Sequence, residues 1–197
     1  VATPEGYARN PELVINFYNE RRKQLLEVRP NDGHLGLAEL EADFNVTVVT
    51  QNIDNLHERA GSRRIIHLHG ELTKVCSSRD PYNPHYIKEL KPDEYEVKFG
   101  DKAGDGTQLR PFIVWFGEPV PEIETAVNYV EKADIFVIIG TSMNVYPAAG
   151  LLNYVPREAE VYLIDPKPVD VHSMRRIHVI QKGASEGVRE LRSLLQP

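Results

Sequence analysis

Short apolar runs alternate along the chain with longer stretches of helical spacing. Residues 45–50, 64–68, 134–139, 159–164 and 177–181 are short stretches dominated by β-branched and apolar residues, as buried strands are. After Asp134, the run at 135–139 is apolar throughout and predicts a central parallel strand, covered on both faces. Between these runs the spacing changes to three and four. Asn10 and Pro11 form a helix start, cap and first helical residue, and Pro30 ends what they begin near residue 28. Its apolar positions are Val14, Phe17, Tyr18 and Leu25, and Arg21 falls inside that stripe, where an aliphatic residue is expected.

A second helix is predicted over 32–44, packing through Leu35, Leu37, Ala38 and Leu40 and weakened by Gly33 and Gly36. Others follow at 121–132, at 148–155 and at the end of the chain, the last with Val188, Leu191, Leu194 and Leu195 inward. Residues 1–6 read as loop. The alternation predicts an α/β fold, a Rossmann-like parallel sheet with helices on both faces. One region departs from it. Residues 76–109 are rich in Pro, Gly and charge and poor in aliphatics, which predicts a small loop-rich inserted module with short strands around 94–99. The expected organisation is a Rossmann-like domain from 1–75 and 110–197, its helical segment at 10–44, interrupted by the module at 76–109.

Composition narrows the class. The 197 residues can bury a sizeable core, and a net charge of −6 opposes a broad nucleic-acid surface, leaving at most a local basic patch at Arg21, Arg22 and Lys23. The single cysteine, Cys76, excludes an internal disulfide and fits a reducing compartment. No run approaches the ~20 apolar residues of a membrane-spanning helix, and none reads as a signal peptide. The expectation is a cytoplasmic protein with no membrane or nucleic-acid partner.

The chemistry gathers at 50–72. The strand at 45–50 runs into Gln51, Asn52 and Asp54, and the strand at 64–68 delivers His69, Gly70 and Glu71. Ligands of open α/β sheets bind at the carboxyl ends of the strands, so amides, a carboxylate and an imidazole are expected at one edge. Gly140, Thr141 and Ser142 close another strand in a small hydroxyl-rich turn suited to phosphate, a weak signal alone. No G-x-G-x-x-G occurs, which leaves a dinucleotide oxidoreductase without support.

The succession QNID, LHERAG and HLHGE closely resembles the sirtuins, the NAD-dependent protein lysine deacylases. The resemblance implies that Gln51, Asn52, Ile53 and Asp54 line the nicotinamide and ribose pocket and that His69 is the general base, while His34, His57, His67 and His85 are packed or merely exposed. It further implies NAD contacts at Gly140, Thr141, Ser142, Asp165, Pro166, Lys167 and Ala184, with Tyr146 as pocket wall. Where Asp165 stands, sirtuins usually carry Asn. Val114, Trp115, Phe116, Gly117 and Glu118 resemble the segment whose backbone takes the substrate peptide as an added strand. Tyr18 and Arg21 resemble the Tyr-x-x-Arg pair with which desuccinylase-like members grip an acidic acyl-lysine. From helical pattern alone, an internal ion pair or a snorkelling side chain is the commoner reading for Arg21.

The reaction implied is displacement of nicotinamide from NAD by the acyl oxygen, His69 taking a proton from a ribose hydroxyl, with O-acyl-ADP-ribose and free lysine as products. The expected substrates are acetyl-, succinyl- or malonyl-lysines of proteins. Most sirtuins hold a structural zinc on four cysteines in the inserted module; with Cys76 alone, and Asp80 and His85 out of ligand spacing, no zinc is expected. Sirtuins also carry upstream a first strand, a GAG-type loop and a DFR-like segment absent here. The chain is therefore expected to be part of a longer protein, with its first strand missing, and to turn over NAD poorly alone. The alternative reading is a non-catalytic acyl-lysine- or nucleotide-binding module.

Overall fold

The computed structural model describes residues 1–140, 148–168 and 175–196. In chain order the elements are α1 (Pro4–Arg9), α2 (Pro11–Leu25), α3 (Asp32–Glu39), β1 (Val48–Thr50), α4 (Leu56–Ala60), β2 (Ile65–His67), β3 (Gly70–Ser77), β4 (Lys88–Glu89), β5 (Leu109–Ile113), α5 (Ile123–Val130), β6 (Ile135–Ile139), β7 (Glu160–Ile164), β8 (Ile177–Ile180) and α6 (Ala184–Leu195). They fall into two compact units. The first holds Val1–Arg29, Thr50–Asn55 and His67–Pro121, the second Pro30–Val49, Leu56–Ile66 and Glu122–Pro197. The observed division is wider than the predicted module at 76–109, because α1, α2 and both active-loop segments group with it.

In the first unit, residues 1–6 are not loop: Thr3 caps α1 by accepting from the Gly6 amide, and Pro4 sits in its first turn. Asn10 then caps α2 by accepting from the Leu13 amide, as the sequence predicts. Strands β4, β3 and β5 form an antiparallel sheet in that order. Ile15 of α2 packs on it with Val75 and Val97, flanked by Tyr7, Leu90 and Leu109. Residues 94–99 form no strand, and β3 takes the pairing instead.

The second unit holds the parallel sheet, in the order β6-β7-β8, with Ile135 opposite Glu160 and Val161 opposite Ile177. Among the described residues β7, not β6, is central: the apolar run at 135–139 is half-buried except at Ile138, whereas Val161, Leu163 and Ile164 are fully enclosed. Leu40, Tyr162, Ile164, Ile180, Val188 and Leu191 form its core, with Leu37, Phe44 and Leu195 against them. Leu35 and Leu194, expected inward, are exposed. Gly36 explains the change in α3. A Cβ there would lie 2.7 Å from Val188 Cγ1, so α3 meets α6 through its glycine face and turns Leu35 outward. β1 and β2 form a separate two-stranded sheet.

Candidate functional site

Thr50 through Ile53 leave β1 as a loop whose carbonyls are all taken by residues 67–72, the end of β2, the turn after it and the start of β3. The Thr50 carbonyl accepts from the Leu68 amide at 2.9 Å and the Ile53 carbonyl from the Leu72 amide at 2.8 Å. Between them, His67 Nδ1 lies 3.0 Å from the Asn52 carbonyl, and the Gln51 carbonyl bonds the His69 ring. Two histidines two residues apart are thus each fixed by successive backbone oxygens. Since a carbonyl only accepts, the bonded ring nitrogen of each carries the proton, and a neutral ring keeps its second nitrogen as an acceptor.

The two differ in exposure. His67 is buried, while His69 is half-buried in the turn before β3. Burial lowers the His69 pKa below its ordinary value, and the bond to Gln51 offsets part of that. The ring at position 69 is therefore neutral, half-accessible and of fixed tautomer. Gly70 makes the turn possible. It holds φ +88°, and a Cβ would collide with the Phe112 carbonyl and stand 2.9 Å from Ile113 Cα. The His69 carbonyl in turn accepts from the Val114 amide at 2.9 Å, which ties this segment to the end of β5.

With the backbone so occupied, the loop's side chains are left for other partners. Gln51 Nε2 and Asn55 Oδ1 are buried yet have no hydrogen-bond partner among the described residues, one a donor and the other an acceptor. Asn52 is exposed; Ile53 and Asp54 are half-buried beside them. Asn55 was not visible as a candidate in the sequence.

Residues 114–118 divide by role. Trp115 is 2% exposed, and its amide donates to Glu118 Oε1 at 2.8 Å. Glu118 also takes a bidentate pair from Arg110, both bonds at 3.0 Å. Burial alone would raise the Glu118 carboxyl, but the Arg110 and Trp115 bonds bring it below its usual value. Trp115 and Glu118 thus serve the interior, leaving Val114 half-buried and Phe116 and Gly117 exposed.

On α2 the sequence expectation is corrected. The buried face is Val14, Ile15, Tyr18, Asn19, Arg22 and Leu25, so the enclosed cation is Arg22, and Arg21 is exposed. Arg22 donates to the carbonyls of Leu72 and Tyr95 and to Asn19 Oδ1, at 2.7 to 3.2 Å, and burial draws its pKa down to about 10. Arg21 makes no hydrogen bond or ion pair among the described residues. It lies near enough to Tyr18 to act on that hydroxyl. Tyr18 itself is 4% exposed and accepts a bond from Trp115 Nε1 at 3.0 Å. Nothing in the helical pattern marked Asn19, Arg22, Arg110 or the Trp115–Tyr18 bond.

In the second unit the carboxyl ends of three parallel strands carry the other candidates. Gly140 leaves β6 at φ +62° and donates to the Ile164 carbonyl; Asp165 follows β7 and accepts from the Lys167 amide at 2.9 Å through Oδ1. Pro166 and Lys167 are exposed, as is Ala184 in the first turn of α6, a helix whose start has no side-chain cap. Thr141, Ser142 and Tyr146 lie outside the described residues.

The sequence model of the Sir2 family matches residues 1–147. A Bacteroides thetaiotaomicron protein named NAD-dependent protein deacylase is 84% identical over 197 residues, covering 100% of this chain and 84% of that protein. A Helicobacter pylori protein of the same name is 48% identical over 191 residues, covering 97% of this chain and 81% of its own. Among solved structures, a Sir2 homologue complexed with NAD superposes with TM-score 0.81 at 34% identity, over 99% of this chain and 77% of that one. A Sir2 complex with a p53 peptide and NAD gives 0.79 at 27% identity, over 98% and 82%.

Proposed function

The chain belongs to the Sir2 family, and on that premise we infer an NAD-dependent protein deacylase whose general base is His69. The observation that carries the assignment is the half-buried His69 ring, bonded to the Gln51 carbonyl and with its pKa lowered by burial. A base must be deprotonated at working pH and must offer a fixed lone pair, and the lowered pKa and the bonded ring nitrogen support that reading. His67 is the poorer candidate, because it is buried.

Whether the chain fits NAD is tested by the orphaned atoms of its loop. A nicotinamide carboxamide offers one acceptor and two donors, the complement of Gln51 Nε2 and Asn55 Oδ1. When bound, NAD supplies the ribose carbon that is attacked and the nicotinamide that leaves. We assign the nicotinamide end to Gln51, Asn52, Ile53 and Asp54, and the diphosphate and adenosine end to Gly140, Thr141, Ser142, Asp165, Pro166, Lys167 and Ala184. The chain's own contribution is to orient the carboxamide, exclude water, and take a ribose hydroxyl proton at the unbonded nitrogen of His69.

Substrates are proteins, and we assign the recognised group as an acylated lysine. The Val114 and Phe116 amides already donate to the carbonyls of His69 and Ala2, so the segment Val114, Phe116 and Gly117 would take the peptide backbone through its carbonyls and the Gly117 amide, with Trp115 and Glu118 holding it in shape and Tyr146 at the pocket wall. Arg21, exposed beside Tyr18 and without a hydrogen bond or ion pair among the described residues, supports acidic acyl groups over acetyl, since a guanidinium fork matches a carboxylate bidentately. The net charge of −6 speaks against a nucleic-acid partner, and no described helix is long and apolar enough to cross a membrane. A lone buried thiol fits a reducing compartment such as the cytoplasm.

Acyl-lysine peptides incubated with the full-length gene product should lose the acyl group only when NAD is supplied, releasing nicotinamide in step. The succinyl-to-acetyl ratio of kcat/KM should fall at least ~10-fold in Arg21→Met, the worth of one charge-assisted bond. An unchanged ratio would remove the acidic-acyl assignment and leave the deacylase standing.

A further inference from the structure

The hydroxyl of Tyr18 is buried and hydrogen-bonded, yet its own proton has no acceptor among the described residues. Trp115 Nε1 lies 3.0 Å from the Tyr18 oxygen, and an indole nitrogen can only donate. The Tyr18 oxygen is therefore the acceptor in that bond. Its proton must turn elsewhere, and the neighbouring cation Arg21 cannot receive it. Burial raises the Tyr18 pKa, so the proton stays on.

Trp115 is itself held from three sides. Arg110 stacks over the indole at 3.9 Å, the Trp115 amide bonds Glu118, and Glu118 closes the ring through its bidentate pair with Arg110. Tyr7 packs at 5.2 Å between ring centroids. An indole fixed this firmly cannot rotate away to release the Tyr18 oxygen.

We propose that Trp115 is a specificity-determining positioning residue: its indole N–H occupies the Tyr18 oxygen and commits the hydroxyl to donating, which selects an acyl group ending in an acceptor. The inference rests on the assignment of Tyr18 and Arg21 to acidic acyl groups. Without the indole donor the hydroxyl is free to rotate and to accept. The acidic substrate then meets a donor only part of the time, whereas a methyl-ended acyl group does not sense the difference. Arg110 and Glu118 act one step further out, by holding the indole.

The test is kcat/KM on matched succinyl- and acetyl-lysine peptides for the wild type, Trp115→Phe, Tyr18→Phe and the double variant, in the full-length gene product. Tyr18→Phe and Trp115→Phe should each lower the succinyl-to-acetyl ratio about fivefold, the size of one hydrogen bond, with the loss in KM rather than kcat. In the Tyr18→Phe background, Trp115→Phe should change the ratio no further. Incorporating benzothienylalanine at position 115 replaces N–H by sulfur in a ring of the same shape, and should reproduce the effect where Trp115→Phe lowers the melting temperature. A ratio unchanged by both replacements at 115 but lowered by Tyr18→Phe overturns the proposal and leaves the acidic-acyl assignment intact. A ratio unchanged by Tyr18→Phe overturns that assignment, and this proposal with it. Additive losses in the double variant also overturn it, because Trp115 would then act independently of Tyr18.

Discussion

His67 ends β2 and is buried, His69 lies half-buried in the turn that follows, and the carbonyls of Asn52 and Gln51 separate their roles. Since burial lowers the His69 pKa, its base form persists below the ordinary value near 6.5 and is lost only as pH falls through the lowered one. The acid limb of kcat/KM should therefore lie below pH 6.5 and disappear in His69→Ala; a limb above 6.5 would require a partner that stabilises the imidazolium. The catalytic histidine was legible because its neighbours formed a long motif. The cations of α2 were less so. Helical spacing through Val14, Phe17 and Tyr18 placed Arg21 inward, but the true face is rotated toward Ile15, Asn19 and Arg22. Arg22 can be buried because carbonyls of distant segments satisfy it, and no pattern within the helix announces carbonyls fifty residues away.

At the scale of elements, β3 is the piece that the hydrophobic pattern concealed. Its polar Glu71, Thr73 and Lys74 interrupt any apolar run, so the sequence predicts no strand there and only its last two residues fall in the loop-rich module at 76–109. Antiparallel pairing with β5 stabilises it regardless, with a register shift between Gly70 and Val75. The strands of the parallel sheet were legible to within a few residues because each is a short, mostly apolar and β-branched run, even where its faces are only partly covered. Gly70 is where the turn into β3 depends on a single residue. Gly70→Ala must leave a positive φ and displace the Phe112 backbone, so it should cost at least ~2 kcal/mol and reduce activity through His69, its neighbour. Thermal melting checks this. A melting point within one or two degrees of wild type would show that β5 yields easily.

For the molecule as a whole, the chemistry of the proposed base and acyl site lies in one compact unit, together with the segment in which most sirtuins bind zinc. There Cys76 is fully buried in β3, hydrogen-bonded to the Pro111 carbonyl, with its thiol pushed up to about 12 by burial. Such a thiol packs like a small apolar side chain and is a poor ligand. The native protein should leave a thiol reagent such as dithiobis-nitrobenzoate unreacted at Cys76, the denatured protein should react, and metal analysis should find no stoichiometric zinc. One chelator-resistant zinc per chain would contradict the zinc-free assignment. The α/β class was legible from alternation alone. The two-unit division was not, because it depends on which distant segments pack together.

The account turns on His69 as general base, and acyl transfer by His69→Ala beside His67→Ala tests that most directly. Deacylation of an acyl-lysine peptide and NAD binding by calorimetry would be measured on the full-length gene product. His69→Ala should lose at least ~100-fold in kcat/KM while still binding NAD. His67→Ala should lose mainly thermal stability, since its ring braces the Asn52 carbonyl from within. A near-wild-type rate in His69→Ala, or a larger catalytic loss in His67→Ala than in His69→Ala, would contradict the account.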